Sequence, residues 1–212
     1  MYRFFLKRII DFVFSLLGII LLAIPMGIVA LVIYREDPGP VLFKQKRVGK
    51  DKKIFTLYKF RSMKMCTPHD TPTHLLENPE QYLLKCGKVL RKYSIDELPQ
   101  LFNILKGDMS IIGPRPALWN QFDLIDEREK KGANDVRPGL TGWAQINGRD
   151  ELEISVKAEL DGNYATKLKE GRFRGFLMDV LCFFKTFSSV LKSEGVVEGG
   201  TGEIQRNEEK NK

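Results

Sequence analysis

The sequence predicts an α+β fold, predominantly helical. An N-terminal re-entrant membrane helix carries a small cytosolic domain with a β-hairpin and interfacial amphipathic helices. Three observations lead there. The 26-residue run Ile9–Tyr34 contains one charge, Asp11, and has basic residues on both sides. Two strand-like runs enclose the polar tip "GKDKK" at 49–53. Most other apolar residues recur at helical spacing. The expected units are an anchor (1–36), a cytosolic domain (37–194) and a polar tail (195–212) too poor in apolar residues to order itself.

The anchor comes first. Its apolar run is long enough to cross a bilayer, too long for a signal peptide, and followed by no small-x-small cleavage site. Lys/Arg excess marks the cytoplasmic side. Here Arg3, Lys7 and Arg8 precede the run, and Arg35, Lys44, Lys46, Arg47, Lys50, Lys52 and Lys53 follow it. A crossing helix would strand one basic flank outside. A helix that dips in, breaks at Pro25 and returns keeps both flanks inside, because proline removes a backbone bond. Asp11 is expected to pair with Lys7 or Arg8, one helical turn away.

After the turn "EDPGP" (36–40), "VLFKQKRVG" and "KIFTLYKFRSM" read as the strands of a hairpin. Residues 66–79 are a loop with helix-start character. Helices are predicted over 80–93, 98–106 (stopping at Gly107), 117–132, 151–169 and 173–192, with Gly/Pro-punctuated loops between them. On the last helix Phe176, Val180, Phe184, Phe187 and Leu191 share a stripe rimmed by Lys185 and Lys192. Such a face suits the core or, beside an anchor, a membrane surface.

Composition narrows the chemistry. A chain of 212 residues with net charge +7 and 43% apolar content is neither disordered nor polytopic, and its charge favours phosphate-rich partners. Three dispersed cysteines, Cys66, Cys86 and Cys182, form neither a CxxC pair nor an even framework. His69 and His74 read as loop residues. No P-loop or dinucleotide fingerprint is present. In "RKYSIDELPQ", Ser94 and Glu97 match a capping box. Pro99 favours a later start with Asp96 at the helix mouth, since its missing N–H is harmless only in the first turn. A carboxylate there serves as a cap or as a nucleophile, and the local pattern leaves both open. Arg115 in "GPRP" and Arg137 in "VRPG" are stiffened by the following proline, and guanidinium matches phosphate oxygens bidentately. Arg91 stands five residues before Asp96.

The segments "KRIIDFVFSLLG", "PGPVLFKQKRVGKDKKIFTLYKFRSM", "LRKYSIDELPQLFNILKGDMSIIGPRP" and "VRPGLTGWAQINGR" together resemble the bacterial sugar transferase family over residues 3–190. These are the monotopic phosphoglycosyl transferases of the bacterial inner membrane. The length resembles their minimal catalytic unit. The resemblance implies a catalytic domain facing the cytoplasm. It also implies transfer of a sugar-1-phosphate from a UDP-sugar to polyprenyl (undecaprenyl) phosphate, releasing UMP, as the first membrane step of surface glycan synthesis. In that scheme Asp96 is the covalent nucleophile and Glu97 the dyad's second carboxylate, in a Mg²⁺-binding or proton-handling role, with Asp96 and Glu97 as the expected Mg²⁺ ligands. Lys59, Arg91, Arg115 and Arg137 are implied as substrate contacts. Lys157, Asp161 and Tyr164 fit a K-x-x-x-D-x-x-Y spacing that suggests a sugar or uridine contact. Trp143 suits a base stack or a packed core. Where the family has serine before the anchor proline, this chain has Ile24. The expected partners are UDP-sugar, polyprenyl phosphate and membrane lipid, without nucleic acid; a homodimer stays open. Two alternatives are an ordinary glycosyltransferase releasing UDP and a basic membrane-tethered binding module.

Overall fold

A computed structural model describes residues 2–67, 79–148, 152–170 and 172–192. The loop expected at 66–79 lies mostly outside that set, and the tail lies wholly outside it. The described residues are mostly helical, with two small two-stranded sheets among them.

After a short π-helical turn at Tyr2–Leu6, the anchor is one helix, α1 (Lys7–Glu36). The expected break at Pro25 does not end it. Pro25 is exposed, so the lost backbone bond falls on the outer side of the helix. One face turns inward along the whole length. Lys7, Asp11, Ser15 and Ile33 are buried. Gly18 abuts Leu101, and Met26, Val29 and Ala30 pack on the cluster of Ile33, Phe60, Leu84 and Leu90. The opposite face is apolar and bare, with Leu21 and Ile24 each 77% exposed. Lys7 near one end pairs with Asp179 and Ile33 near the other packs on Phe60, Leu84 and Leu90, so both ends of this anchor rest on the same domain.

The hairpin is as expected: β1 (Leu42–Val48) pairs antiparallel with β2 (Ile54–Phe60), Gln45 opposite Leu57. At its tip Asp51 and Lys52 are consecutive non-glycine residues in left-handed conformation (φ 54° and 59°). Then follow α2 (Lys85–Lys92), α3 (Gln100–Lys106), β3 (Ser110–Ile112), α4 (Phe122–Lys130), β4 (Gly139–Thr141), α5 (Trp143–Ile146), α6 (Ile154–Glu170) and α7 (Arg172–Lys192). The parallel pair β3–β4 was not legible in sequence, because each strand has three residues inside a Gly/Pro loop. Glycine makes it possible: a Cβ on Gly142 would lie 2.0 Å from the Gly113 carbonyl oxygen, and one on Gly139 2.1 Å from the Gly113 nitrogen.

Of the stripe expected on helix α7, Phe176 and Phe184 face outward and Val180 is half-buried, while the side chains of Phe187 and Leu191 lie outside the described ones. Phe173, Phe176, Leu177, Leu181 and Phe184 are exposed, while Met178, Asp179 and Cys182 are buried. Asp11 does not pair with Lys7 or Arg8. It accepts from the Ser110 hydroxyl (2.8 Å) and the Ile111 amide (3.0 Å), tying α1 to β3. Lys7 instead pairs with Asp179 at 2.8 Å. A carboxylate satisfied by two donors from β3 has no need of the neighbouring cations.

Candidate active site

The link between α2 and α3 builds the site. Ser94 adopts a left-handed conformation (φ 55°), and Ile95–Glu97 form a single 3₁₀ turn. Helix α3 begins only at Gln100, behind Pro99, with no side-chain cap. Asp96 therefore caps no helix. The rigid Pro99 starts α3 three residues later than a capping aspartate would, and that frees both carboxylates from backbone duty. Ile95 and Leu98 pack into the cluster below, which anchors the turn to α1.

Three other segments bring cations to it. Lys59, on β2, donates to Glu97 Oε1 at 2.7 Å and lies 3.9 Å from Asp96 Oδ2. Arg115, just after β3, donates to the same Glu97 oxygen at 3.0 Å. Arg91, in the last turn of α2, donates through Nε to the Ser62 hydroxyl at 2.9 Å. Glycine also sets this approach, since a Cβ on Gly87 would sit 2.1 Å from the Ser62 carbonyl oxygen.

The two carboxylates differ. Burial pushes Glu97 up, but Lys59 and Arg115 outweigh it and hold its carboxyl far below the usual range. For Asp96, burial wins. It raises the carboxyl above its ordinary value against the pull of Lys59, with Glu97 adding to the rise and Arg91 and Arg115 opposing it. Asp96 is only 8% exposed, yet among the described residues its carboxylate accepts no hydrogen bond, and neither does Glu97 Oε2. Buried carboxylates are normally saturated with donors. This one has cations near it, Lys59 as an ion pair at 3.9 Å, and among the described residues no hydrogen-bond donor.

The structure thus gathers Lys59, Arg91, Asp96, Glu97 and Arg115. It places Arg137 elsewhere, at the far end of α3, where its Nε donates to the Gly107 carbonyl at 2.9 Å. Of the K-x-x-x-D-x-x-Y residues, Asp161 and Tyr164 build the interior and Lys157 is half-buried. Asp161, fully buried, pairs with Arg128 at 2.6 Å. Tyr164 donates toward Asp179 Oδ1 (2.8 Å) and the Ile112 carbonyl (3.0 Å). Trp143 is partly buried on the core, with Lys167 and Lys185 near its ring. Three contributors were missed in sequence: Ser62, Asp179 and Arg128. Asp179 is a lone acid in an apolar helix, and that was the available signal.

The bacterial sugar transferase profile matches residues 2–193. The chain belongs to this family. It is 40% identical over 191 residues to an uncharacterized sugar transferase, EpsL, of Bacillus subtilis, covering 90% of both chains. It is 38% identical over 200 residues to the UDP-N-acetylgalactosamine-undecaprenyl-phosphate N-acetylgalactosaminephosphotransferase of Aeromonas hydrophila, covering 90% of this chain and 45% of that one. Its identity is 41% over 158 residues to the UDP-glucose:undecaprenyl-phosphate glucose-1-phosphate transferase of Escherichia coli, covering 73% and 34%. The chain thus spans nearly all of the Bacillus protein and under half of the two phosphotransferases. The five gathered residues all lie within the matched span.

Proposed function

We propose that this sugar transferase moves a sugar-1-phosphate from a UDP-sugar to polyprenyl phosphate, through a covalent intermediate on Asp96. The carrying observation is the Asp96 carboxylate, buried and, among the described residues, without a hydrogen-bond donor. Such an oxyanion is more nucleophilic than one stabilised by donors, and Lys59, Arg91 and Arg115 compensate its charge at a distance.

An Asp96 oxygen attacks the sugar-bearing phosphorus. The bond from that phosphorus to the bridging oxygen breaks, and UMP leaves with the electron pair. An oxygen of polyprenyl phosphate then attacks the same phosphorus, and the Asp96 carboxylate leaves. The product is a polyprenyl diphosphosugar, and the enzyme returns to its starting state. Arg115 and Arg91 are placed to meet phosphate oxygens. Glu97 holds Lys59 beside the nucleophile. Two adjacent carboxylates with unbonded oxygens fit Mg²⁺, which uses one or two carboxylates and completes its shell with substrate phosphates and water. Asp96 and Glu97 would hold it, and it would neutralise diphosphate charge.

The re-entrant, cytoplasm-facing anchor belongs to the same proposal. Basic flanks on both sides and inward contacts at both ends of α1 support it, because a crossing helix would carry one end away from the domain; the return is then made by bending at Pro25 within a continuous helix, not by a break. Incubation of purified protein with a panel of UDP-sugars and Mg²⁺ tests the chemistry. UMP release and a one-phosphosugar mass adduct, both lost in Asp96→Asn, are expected. Release of UDP, or turnover without an adduct in the wild type and unchanged in Asp96→Asn, overturns it.

A further inference from the structure

Arg137 is left without a role at the dyad, and its surroundings suggest another. Helix α3 has seven residues, about 10 Å, and the dyad lies ahead of its first turn. At its other end a cavity opens, lined by Lys7 and Arg8 of α1, Lys50 of the hairpin tip and Arg137 before β4, together with Asp11 and Asp135. The cations come from three separate parts of the chain.

The two aspartates are already committed. Asp11 accepts from Ser110 and Ile111, and Asp135 pairs with Lys169. Lys7 is paired with Asp179. Among the described residues both arginines bond only to carbonyl oxygens: Arg8 to Ile104 (2.6 Å) and Leu105 (2.8 Å), Arg137 through Nε to Gly107. Among the described residues the terminal amino groups of Arg137 have no further partner. Capping the carbonyl end of α3 accounts for Arg8 fully. It accounts for one nitrogen of Arg137 and not at all for Lys50. Among the described residues Lys50 pairs only with its neighbour Asp51, at 3.3 Å, in a partly exposed pair. It is held at the cavity by a tip with two successive left-handed residues, folded against the turn Ala133–Asp135. Strained non-glycine backbone of this kind persists only where the surroundings enforce it.

The setting names the ligand chemistry. The cavity lies at the root of α1, where the bare apolar face begins with Phe5, Leu6 and Ile9. The apolar face of α7 adjoins it, with Tyr2 stacked edge-on against Phe176 at 5.6 Å. Arginine and lysine converging at a water–lipid boundary meet phosphate there.

We infer that Arg137 and Lys50, with the positive charge of Arg8 behind them, form a second phosphate site, separate from the dyad, which seats the phosphate of an anionic phospholipid at the root of the anchor. Free inorganic phosphate offers the same chemistry without the acyl chains. The inference does not rest on the proposed reaction, and its test reads binding alone.

The test is thermal unfolding of the full chain in neutral detergent micelles, alone, with short-chain phosphatidylglycerol, with short-chain phosphatidylcholine, or with inorganic phosphate. Phosphatidylglycerol at about ten times its dissociation constant is expected to raise Tm by about 3 °C, with phosphatidylcholine giving less. Arg137→Gln and Lys50→Gln should each remove most of the rise, whereas Lys130→Gln, an exposed lysine paired with Glu127, should keep it. Lys50 is exposed enough that its variant folds even if Arg137→Gln does not. A rise with inorganic phosphate equal to that with phosphatidylglycerol, lost in the same variants, supports the phosphate site and assigns it to the free ion. No rise with either, or a rise that survives both variants, overturns it.

Discussion

Two buried aspartates in this chain have opposite surroundings. Asp179, in α7, accepts hydrogen bonds from Tyr2 (2.5 Å), Lys7 (2.8 Å) and Tyr164 (2.8 Å), which reach it from the N-terminal turn, α1 and α6. Asp96 is buried to nearly the same degree, 8% against 7% exposed, and accepts none from the described residues. Burial therefore does not distinguish structure from chemistry here. Saturation does. A carboxylate with three donors has its charge spread into them and holds four segments together. A carboxylate among cations but without donors keeps its lone pairs for another atom.

The most severe way to break this contrast is to remove each charge in turn. Asp96→Asn should abolish transfer, by a factor on the order of 10⁴ or more, as for other lost nucleophiles. Its Tm should stay level or rise, because a desolvated charge disappears. Activity assay and thermal unfolding on one preparation check both. A variant that unfolds early would make Asp96 a structural residue and end the comparison.

Asp179→Ala should do the reverse. It leaves Lys7 buried without its counter-charge, a loss of about 3–5 kcal/mol for a broken buried pair. Chemical denaturation in micelles reads this directly, and the surviving folded fraction should still form the Asp96 adduct. A stability change under 1 kcal/mol would show that the three donors find other partners.

Lys59→Gln sharpens the contrast at the dyad. Asp96 attacks in its ionised form, so activity falls as pH drops through its carboxyl titration. Burial already puts that titration above the ordinary aspartate value, and Lys59 is the largest force opposing the rise. Without Lys59 the ionised form is less favourable, and the acid limb of kcat/KM should move to higher pH. Arg115→Gln should move it the same way by less, following the order of the two cations' influence on Asp96. A limb that stays in place, or moves down, would mean that Asp96 is not the titrating group.

Much of this was legible in the sequence, for physical reasons. The anchor and the hairpin announce themselves by unbroken apolar length and by a polar tip between strand-like runs. The gathered site residues come from motifs whose prolines and glycines fix the chain locally, as with Pro99 behind the dyad and Gly113 behind Arg115. Arg137 was expected among the substrate contacts from the family resemblance and the same Arg-Pro pattern, but that pattern fixes only the direction of departure from the backbone. Where the arginine arrives depends on β4 pairing beside β3, a three-residue contact with no periodicity to detect. Asp11 and Asp179 were illegible as partners because their donors lie 99 and up to 177 positions away. Local spacing offered Lys7 to Asp11, whereas the fold gave Lys7 to Asp179.

The smallest expected effect concerns Tyr164. Its hydroxyl has one proton and two acceptors within reach, Asp179 Oδ1 and the Ile112 carbonyl. Phenylalanine in its place removes one donor from Asp179 but leaves Tyr2 and Lys7, and the ring still fills its buried space. The cost should be about 1 kcal/mol, that of an ordinary hydrogen bond, and so well below that of Asp179→Ala. The double variant Asp179→Ala/Tyr164→Phe should cost less than the sum of the two, because both remove the same bond. Midpoints of urea unfolding in micelles, at unchanged slope, measure all three. Strict additivity would mean that the tyrosine serves the Ile112 carbonyl instead. The saturation of Asp179 would then rest on two donors, still two more than Asp96 receives.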